Sequence, residues 1–210
     1  MALLNMREVN PGVSLGLWQI EETVDDFFVR FPWMVRYKED LEQYKSVDRK
    51  LEYLAVRALL RELLKFLGME ERQIDSVGNI GHNKMGKPLL CGFNISISHT
   101  KGYAAVILSR KKIVAVDIEY YNDRVKRIAS KFLRKDEKAF DLDSLLLHWC
   151  GKETVYKLFS EQKLAYQDMR VGSFDAMSDW FFVVENLRTS ERVNVDYELT
   201  MDFVLTYSSL

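Results

Sequence analysis

Apolar residues recur along this chain with two periods, and the change between them marks its elements. Over residues 48–67, DRKLEYLAVRALLRELLKFL, the positions Leu51, Leu54, Ala55, Ala58, Leu59 and Leu63 form one stripe at helical spacing. Gly68 follows where such a helix should stop. Residues 144–159, SLLLHWCGKETVYKLF, form a second amphipathic helix in spite of Gly151. Shorter helices are predicted over 21–31 and 38–45, and the basic run 124–138 is predicted helical. Period-two patterns mark strands at 13–20, 93–98 (FNISIS), 103–109, 112–118 and, in the tail, 180–185, 193–199 and 201–207. Residues 78–92, rich in Gly, Asn and Lys, read as loop. Gly102 and the pair Arg110–Lys111 are short connections, so the three middle strands are expected to form an antiparallel meander.

Helices and strands come in groups, which predicts α+β architecture rather than a doubly wound sheet. No linker is evident, and we place the boundary near residue 112. Residues 1–112 then form an N-terminal α+β subdomain and residues 113–210 a C-terminal one.

Composition narrows the functional classes. The chain has 210 residues, 48% of them hydrophobic, which is enough to bury a core. Its net charge of −1 argues against a nucleic-acid partner, so any phosphate site must be a local cluster. No apolar run approaches membrane-spanning length, and the first residues lack the pattern of a secretory signal. Cys91 and Cys150 are the only cysteines, which fits a reducing, cytoplasmic setting. Three histidines and two distant cysteines do not make a typical zinc site, leaving carboxylates as metal ligands and favouring Mg²⁺ or Mn²⁺.

Those carboxylates occur in suggestive places. Asp117 and Glu119 lie two apart on a strand and so project to one side, where they repel unless a cation lies between them. Taken alone, the tripeptide reads equally as a solvated strand end. Glu153 and Lys157 are four apart on the predicted helix, on the face of Trp149. That pair is either an ordinary surface ion pair or a third metal carboxylate with an ammonium for a phosphate. Ser98-His99-Thr100 closes a strand in a polar setting suited to an anion, and Lys84 and Lys87 stand in a Gly-Pro loop.

In order, the chain reads GKPLL (86–90), FNISISHT (93–100), VAVDIE (114–119) and WCGKETVYK (149–157). This ordered set resembles the Sfp-type 4′-phosphopantetheinyl transferases, and the helix that begins RKLEYLAVRALLR resembles their first-half helix. Ala115, Thr154 and Ser96 depart from the residues usual in that pattern. The resemblance implies two pseudo-symmetric α+β halves, each a small antiparallel sheet packed with helices, with coenzyme A between them. It implies Asp117, Glu119 and Glu153 as ligands of Mg²⁺ (or Mn²⁺), Lys157 at the pyrophosphate, and Lys87 and His99 at the 3′-phosphate with Ser98 and Thr100 nearby. Glu153, Lys157 and His99 are the expected catalytic residues, Glu153 as candidate base. The partner would be an acyl or peptidyl carrier protein, for which the basic run 124–138 is a candidate docking face. Family members of this double length are usually monomers, so a monomer is expected. Two rival readings are a metal-dependent nuclease and a coenzyme A-binding protein without turnover.

Overall fold

A computed structural model describes residues 3–210. Two strands open it, β1 (Leu3–Asn10) and β2 (Val13–Gln19), followed by the short helices α1 (Val24–Arg30) and α2 (Lys38–Glu42) and the long α3 (Val47–Phe66). Then come α4 (Glu71–Val77), a minimal hairpin β3 (Gly81–His82) and β4 (Pro88–Leu89), and the strands β5 (Asn94–Thr100), β6 (Tyr103–Ser109) and β7 (Val114–Tyr120). Helices α5 (Arg124–Phe132) and α6 (Leu142–Leu158) lead to β8 (Met169–Val171), β9 (Phe181–Asn186), β10 (Glu191–Leu199) and β11 (Phe203–Ser209). The architecture is α+β, as expected. No helix among the described residues is long and apolar enough to cross a membrane.

The expected three-strand meander is replaced by a change of sheet. β5 and β6 pair antiparallel in a four-stranded sheet of order β1-β2-β6-β5. β7 instead pairs with β11, in a five-stranded sheet of order β7-β11-β10-β9-β8. The physical reason is burial: Val114, Val116 and Ile118 turn one face of β7 onto Val13, Leu15, Ala105 and Ile107 of the first sheet. The sheets therefore stack, with an apolar layer between them. α3 covers the outer face of the first sheet through Leu54, Ala58, Leu59 and Leu63, and α6 covers that of the second through Leu147, Cys150 and Val155. Each half repeats one scheme, in which a strand leads to a long helix and then a hairpin whose last strand returns beside the first: β2-α3-β5-β6 and β7-α6-β10-β11.

Local chemistry accounts for the elements. Gly68, with φ of 77°, ends α3, its N–H donating to Lys65 O at 2.8 Å. Asp141 and Ser144 cap α6 reciprocally. Gly151 is required where it stands, because a Cβ there would lie 2.5 Å from the ring of Phe182. β1, β8 and α4 carry weak patterns and were not expected from sequence.

The basic run is helical only to Phe132, not to 138. Leu133 turns extended, and the Arg134 N–H donates to Glu137 Oε2 at 2.8 Å. Glu137 is drawn inward by Lys152, whose Nζ donates to Glu137 Oε2 at 2.8 Å and to Phe132 O at 2.7 Å. Both side chains of this pair are fully buried. A buried pair holds together only while both partners remain. Replacing Lys152 by Met should cost about 3–5 kcal/mol in chemical denaturation. The double variant with Glu137→Leu should recover part of that loss, because the uncompensated charge is gone. Equal instability of the two variants would show that the pair's charge is not what matters.

Candidate active site

The alternation of β7 sends Asp117 and Glu119 to the α6 side, opposite the apolar face. There α6 presents Trp149, Glu153 and Lys157 at helical spacing. Lys157 Nζ donates to Asp117 Oδ1 at 2.7 Å and to Val116 O at 2.8 Å. Glu119 accepts from Trp149 Nε1 at 3.1 Å and from Thr100 Oγ1 at 3.3 Å. Glu153 accepts from Tyr166 Oη at 2.6 Å. Trp149 and Tyr166, whose rings lie 5.3 Å apart, are thus part of the site, though sequence reading assigned them no role. The position of Trp149 on the Glu153–Lys157 face was the available signal; Tyr166 opens a single 3₁₀ turn, Tyr166–Asp168, too short to carry a pattern.

Ser98 and Thr100 point toward β7. Ser98 Oγ donates to Asp117 Oδ1 at 2.9 Å while accepting from the Ile118 N–H at 3.2 Å. Thr100 repeats this between Glu119 and the Tyr120 N–H, and Ser96 accepts from the Val116 N–H at 3.2 Å. Ser98 and Thr100 hold the carboxylates by their second hydrogen bond.

His99 alternates to the opposite side of β5, against the start of α3. Its Nδ1 lies 3.2 Å from Glu52 Oε2, and Arg49 Nη1 lies 3.0 Å from its Nε2. Burial works against ionisation of Glu52, but His99 and Arg49 outweigh it and hold the carboxyl below its ordinary value. A cavity of about 140 Å³ here is lined by Arg49, Arg57, His82 and His99, with Tyr44 and Tyr53. Lys87 is not among its lining residues; its N–H donates to Asn83 Oδ1 in the β3–β4 loop. Arg49, Arg57 and His82 are cations and a ring that sequence reading left without a role.

Charge in the carboxylate cluster is not balanced. Burial and then the nearby Asp117 raise the Glu119 carboxyl above its ordinary range, and the same two causes raise Glu153. Asp117 Oδ2 is buried and, among the described residues, has no hydrogen-bond partner. Burial, then Asp117 and Glu119, also push the neighbouring Cys150 thiol well up, so it is a neutral packing group. Among the described residues no three His, Cys, Asp or Glu side chains are already closed around one point. The oxygen donor set nonetheless fits a hard divalent cation, because Asp117 Oδ2 lacks any partner and two further carboxylates are disfavoured in their charged form.

Residues 113–208 match the 4′-phosphopantetheinyl transferase superfamily. No curated protein matches the chain. The superfamily match takes in Asp117, Glu119, Trp149, Glu153 and Lys157, and it begins just before β7 enters the second sheet. It stops short of Lys87, Ser98, His99 and Thr100. It supports phosphopantetheinyl transfer as the general chemistry of this half.

A raised carboxyl pKa has a definite sign in linkage. The folded state binds the Glu153 proton more tightly than the unfolded chain, so stability falls as pH rises above the ordinary value of 4.5 and levels off past the raised one. With divalent ions chelated, wild type should therefore lose stability relative to Glu153→Gln between pH 4.5 and pH 8. Parallel thermal-melting curves for the two proteins across that range would remove this assignment.

Proposed function

We propose that the protein is an Sfp-type 4′-phosphopantetheinyl transferase that moves the phosphopantetheine arm of coenzyme A onto a serine of an acyl or peptidyl carrier protein. The observation that carries this reading is the buried, partnerless Asp117 Oδ2 beside Glu119, Glu153 and Lys157, inside the segment that matches the superfamily. The division into halves at residues 112 and 113 belongs to the same reading, with substrate bound along the line where they meet.

The serine Oγ attacks the β-phosphorus of the coenzyme A pyrophosphate. A new P–O bond forms, the bridging P–O bond breaks, and 3′,5′-ADP leaves. Asp117, Glu119 and Glu153 would hold Mg²⁺, or Mn²⁺ in its place. When bound, the cation supplies charge neutralisation at the pyrophosphate. Lys157, already at Asp117, stabilises negative charge on the same oxygens. Glu153, raised by its buried setting, takes the serine proton. His99 and Arg49 face the cavity suited to the 3′-phosphate, with Lys87 in the β3–β4 loop; on the other side of β5, Ser98 and Thr100 act through the carboxylates.

With a carrier protein, Mg²⁺ and coenzyme A, release of 3′,5′-ADP should be lost in Asp117→Ala and Glu153→Ala while both variants stay folded. His99→Ala should raise KM for coenzyme A about ten-fold, and much less for dephospho-coenzyme A, which lacks the 3′-phosphate. Near-normal turnover of either carboxylate variant would refute the metal site. Equal KM effects on the two coenzymes would move His99 away from the phosphate. Phosphodiester hydrolysis without a carrier would favour a nuclease, and binding without release a non-catalytic module.

The same reading assigns the carrier dock to α5. Arg124, Arg127 and Lys131 keep one helical stripe, whereas Arg134 and Lys138 lie beyond the helix. Phe132 belongs to the core, and Ile128 lines a cavity of about 240 Å³ that also reaches Glu119 and Trp149. An apolar contact ringed by cations suits the acidic helices usual in carriers, and its encounter rate is screened by salt. Arg127→Glu with Lys131→Glu should weaken carrier use and flatten its dependence on salt, with coenzyme A affinity unchanged. A normal rate across a salt series would place the dock elsewhere.

A further inference from the structure

A second cavity lies at the opposite end of the first sheet. β5 pairs with β6 from Thr100 opposite Tyr103 to Asn94 opposite Ser109, so the cavity beside Ser109 is about 20 Å along the strands from Thr100. Its volume is about 460 Å³. Pro11 in the β1–β2 turn, Leu67 at the end of α3, Phe93 and Leu108 make its apolar wall. Leu108 and Phe93 are buried, while Leu67 is 41% exposed and forms part of the mouth.

Three consecutive cations stand at this cavity, Arg110, Lys111 and Lys112. None of them makes an ion pair among the described residues. Arg110 lays its guanidinium 4.3 Å from the ring centre of Phe93, and its one side-chain hydrogen bond goes to the Met69 sulfur. The loop that carries them is fixed. Ser109 Oγ accepts from the N–H groups of both Lys111 and Lys112, and Asn94 Nδ2 donates to Lys112 O at 2.9 Å. Those bonds take up the acceptor lone pairs of Ser109, the one uncharged polar side chain in the lining, and leave its O–H as donor.

The interior thus offers shape and apolar surface with a single neutral side-chain hydroxyl, and the mouth offers positive charge without an ion-pair partner. A sugar or a nucleoside would bury polar groups unpaired there, at a cost. An unbranched acyl chain ending in a carboxylate meets both conditions. We propose that this cavity is a binding site for such an acyl carboxylate, its chain between Leu67, Phe93 and Leu108 and its head among Arg110, Lys111 and Lys112. The site is separate from the carboxylate cluster and does not depend on the transferase reading.

Titration calorimetry of the full chain with hexanoate, octanoate and decanoate, below their micellar concentrations, tests this. Affinity should tighten about three- to four-fold for each added methylene, and octanol should bind at least about ten-fold more weakly than octanoate. Lys111→Glu with Lys112→Glu, changing side chains that make no hydrogen bond among the described residues, should weaken octanoate about ten-fold or more with an unchanged melting temperature. Leu67→Asp should do the same from the other wall. Excess coenzyme A should not displace the ligand. The proposal is overturned by absence of binding to decanoate at millimolar concentration, by octanol binding as well as octanoate, by indifference to both variants, or by displacement with coenzyme A.

Discussion

β5 and β7 are the edge strands of two different sheets, and they meet without a backbone ladder between them. The outward N–H groups of Val116, Ile118 and Tyr120 would be left bare by that arrangement. Ser96, Ser98 and Thr100 take them up one after another at a constant offset of 20 residues, each at 3.2 Å. Unpaired buried backbone groups are costly, so these hydroxyls determine where the two halves rest against each other. Lys157 closes the same seam, reaching Val116 O on β7 and Ile97 O on β5. The carboxylates inherit their positions from it, because two of the hydroxyls that accept from β7, Ser98 and Thr100, donate to Asp117 and Glu119.

That seam places strong negative charge where little water reaches. Among the described residues Lys157 is the one cation that touches the cluster, and it leaves the other oxygen of Asp117 without a partner. Lys152, five positions earlier on α6, points away and is consumed by Glu137. Two lysines of one helix thus have separate tasks, one bracing the chain after α5 and one facing the site. Burial first, and the charge of Asp117 second, raise the carboxyls of Glu119 and Glu153 in spite of Lys157. Rigid elements hold the cluster, as precise charge stabilisation requires.

The first half contributes from the other face of β5. Ser98 and His99 are neighbours in sequence and diverge by strand geometry, one to the seam and one to α3. Glu52 and Arg49 on the first turns of α3 then set the environment of His99. An edge strand that serves two faces in this way ties the cavity of the first half to the carboxylates of the second.

What the sequence by itself determined was everything that depends on period and local chemistry. The stripe Leu54–Leu63 specified α3 and Gly68 its end; the alternation of VAVDIE put Asp117 and Glu119 on one side; and the 149–153–157 spacing put Trp149, Glu153 and Lys157 on one face. Those patterns are read within a single element, so no long-range contact is needed to see them. The tertiary structure decided the rest. Whether β7 continued the meander or crossed to a second sheet depended on burying Val114, Val116 and Ile118 against β6 and against β2, a strand far away in sequence. The end of α5 depended on a buried Glu137–Lys152 pair, and the tasks of Ser98 and Thr100 on the strand that came to lie beside them. Tyr166 reached Glu153, and Arg49 reached His99, through packing of segments whose own patterns carry no sign of the partner. A hydroxyl or an ammonium looks the same in sequence whether it will face water, a phosphate or a backbone edge, and only the surrounding fold distinguishes these.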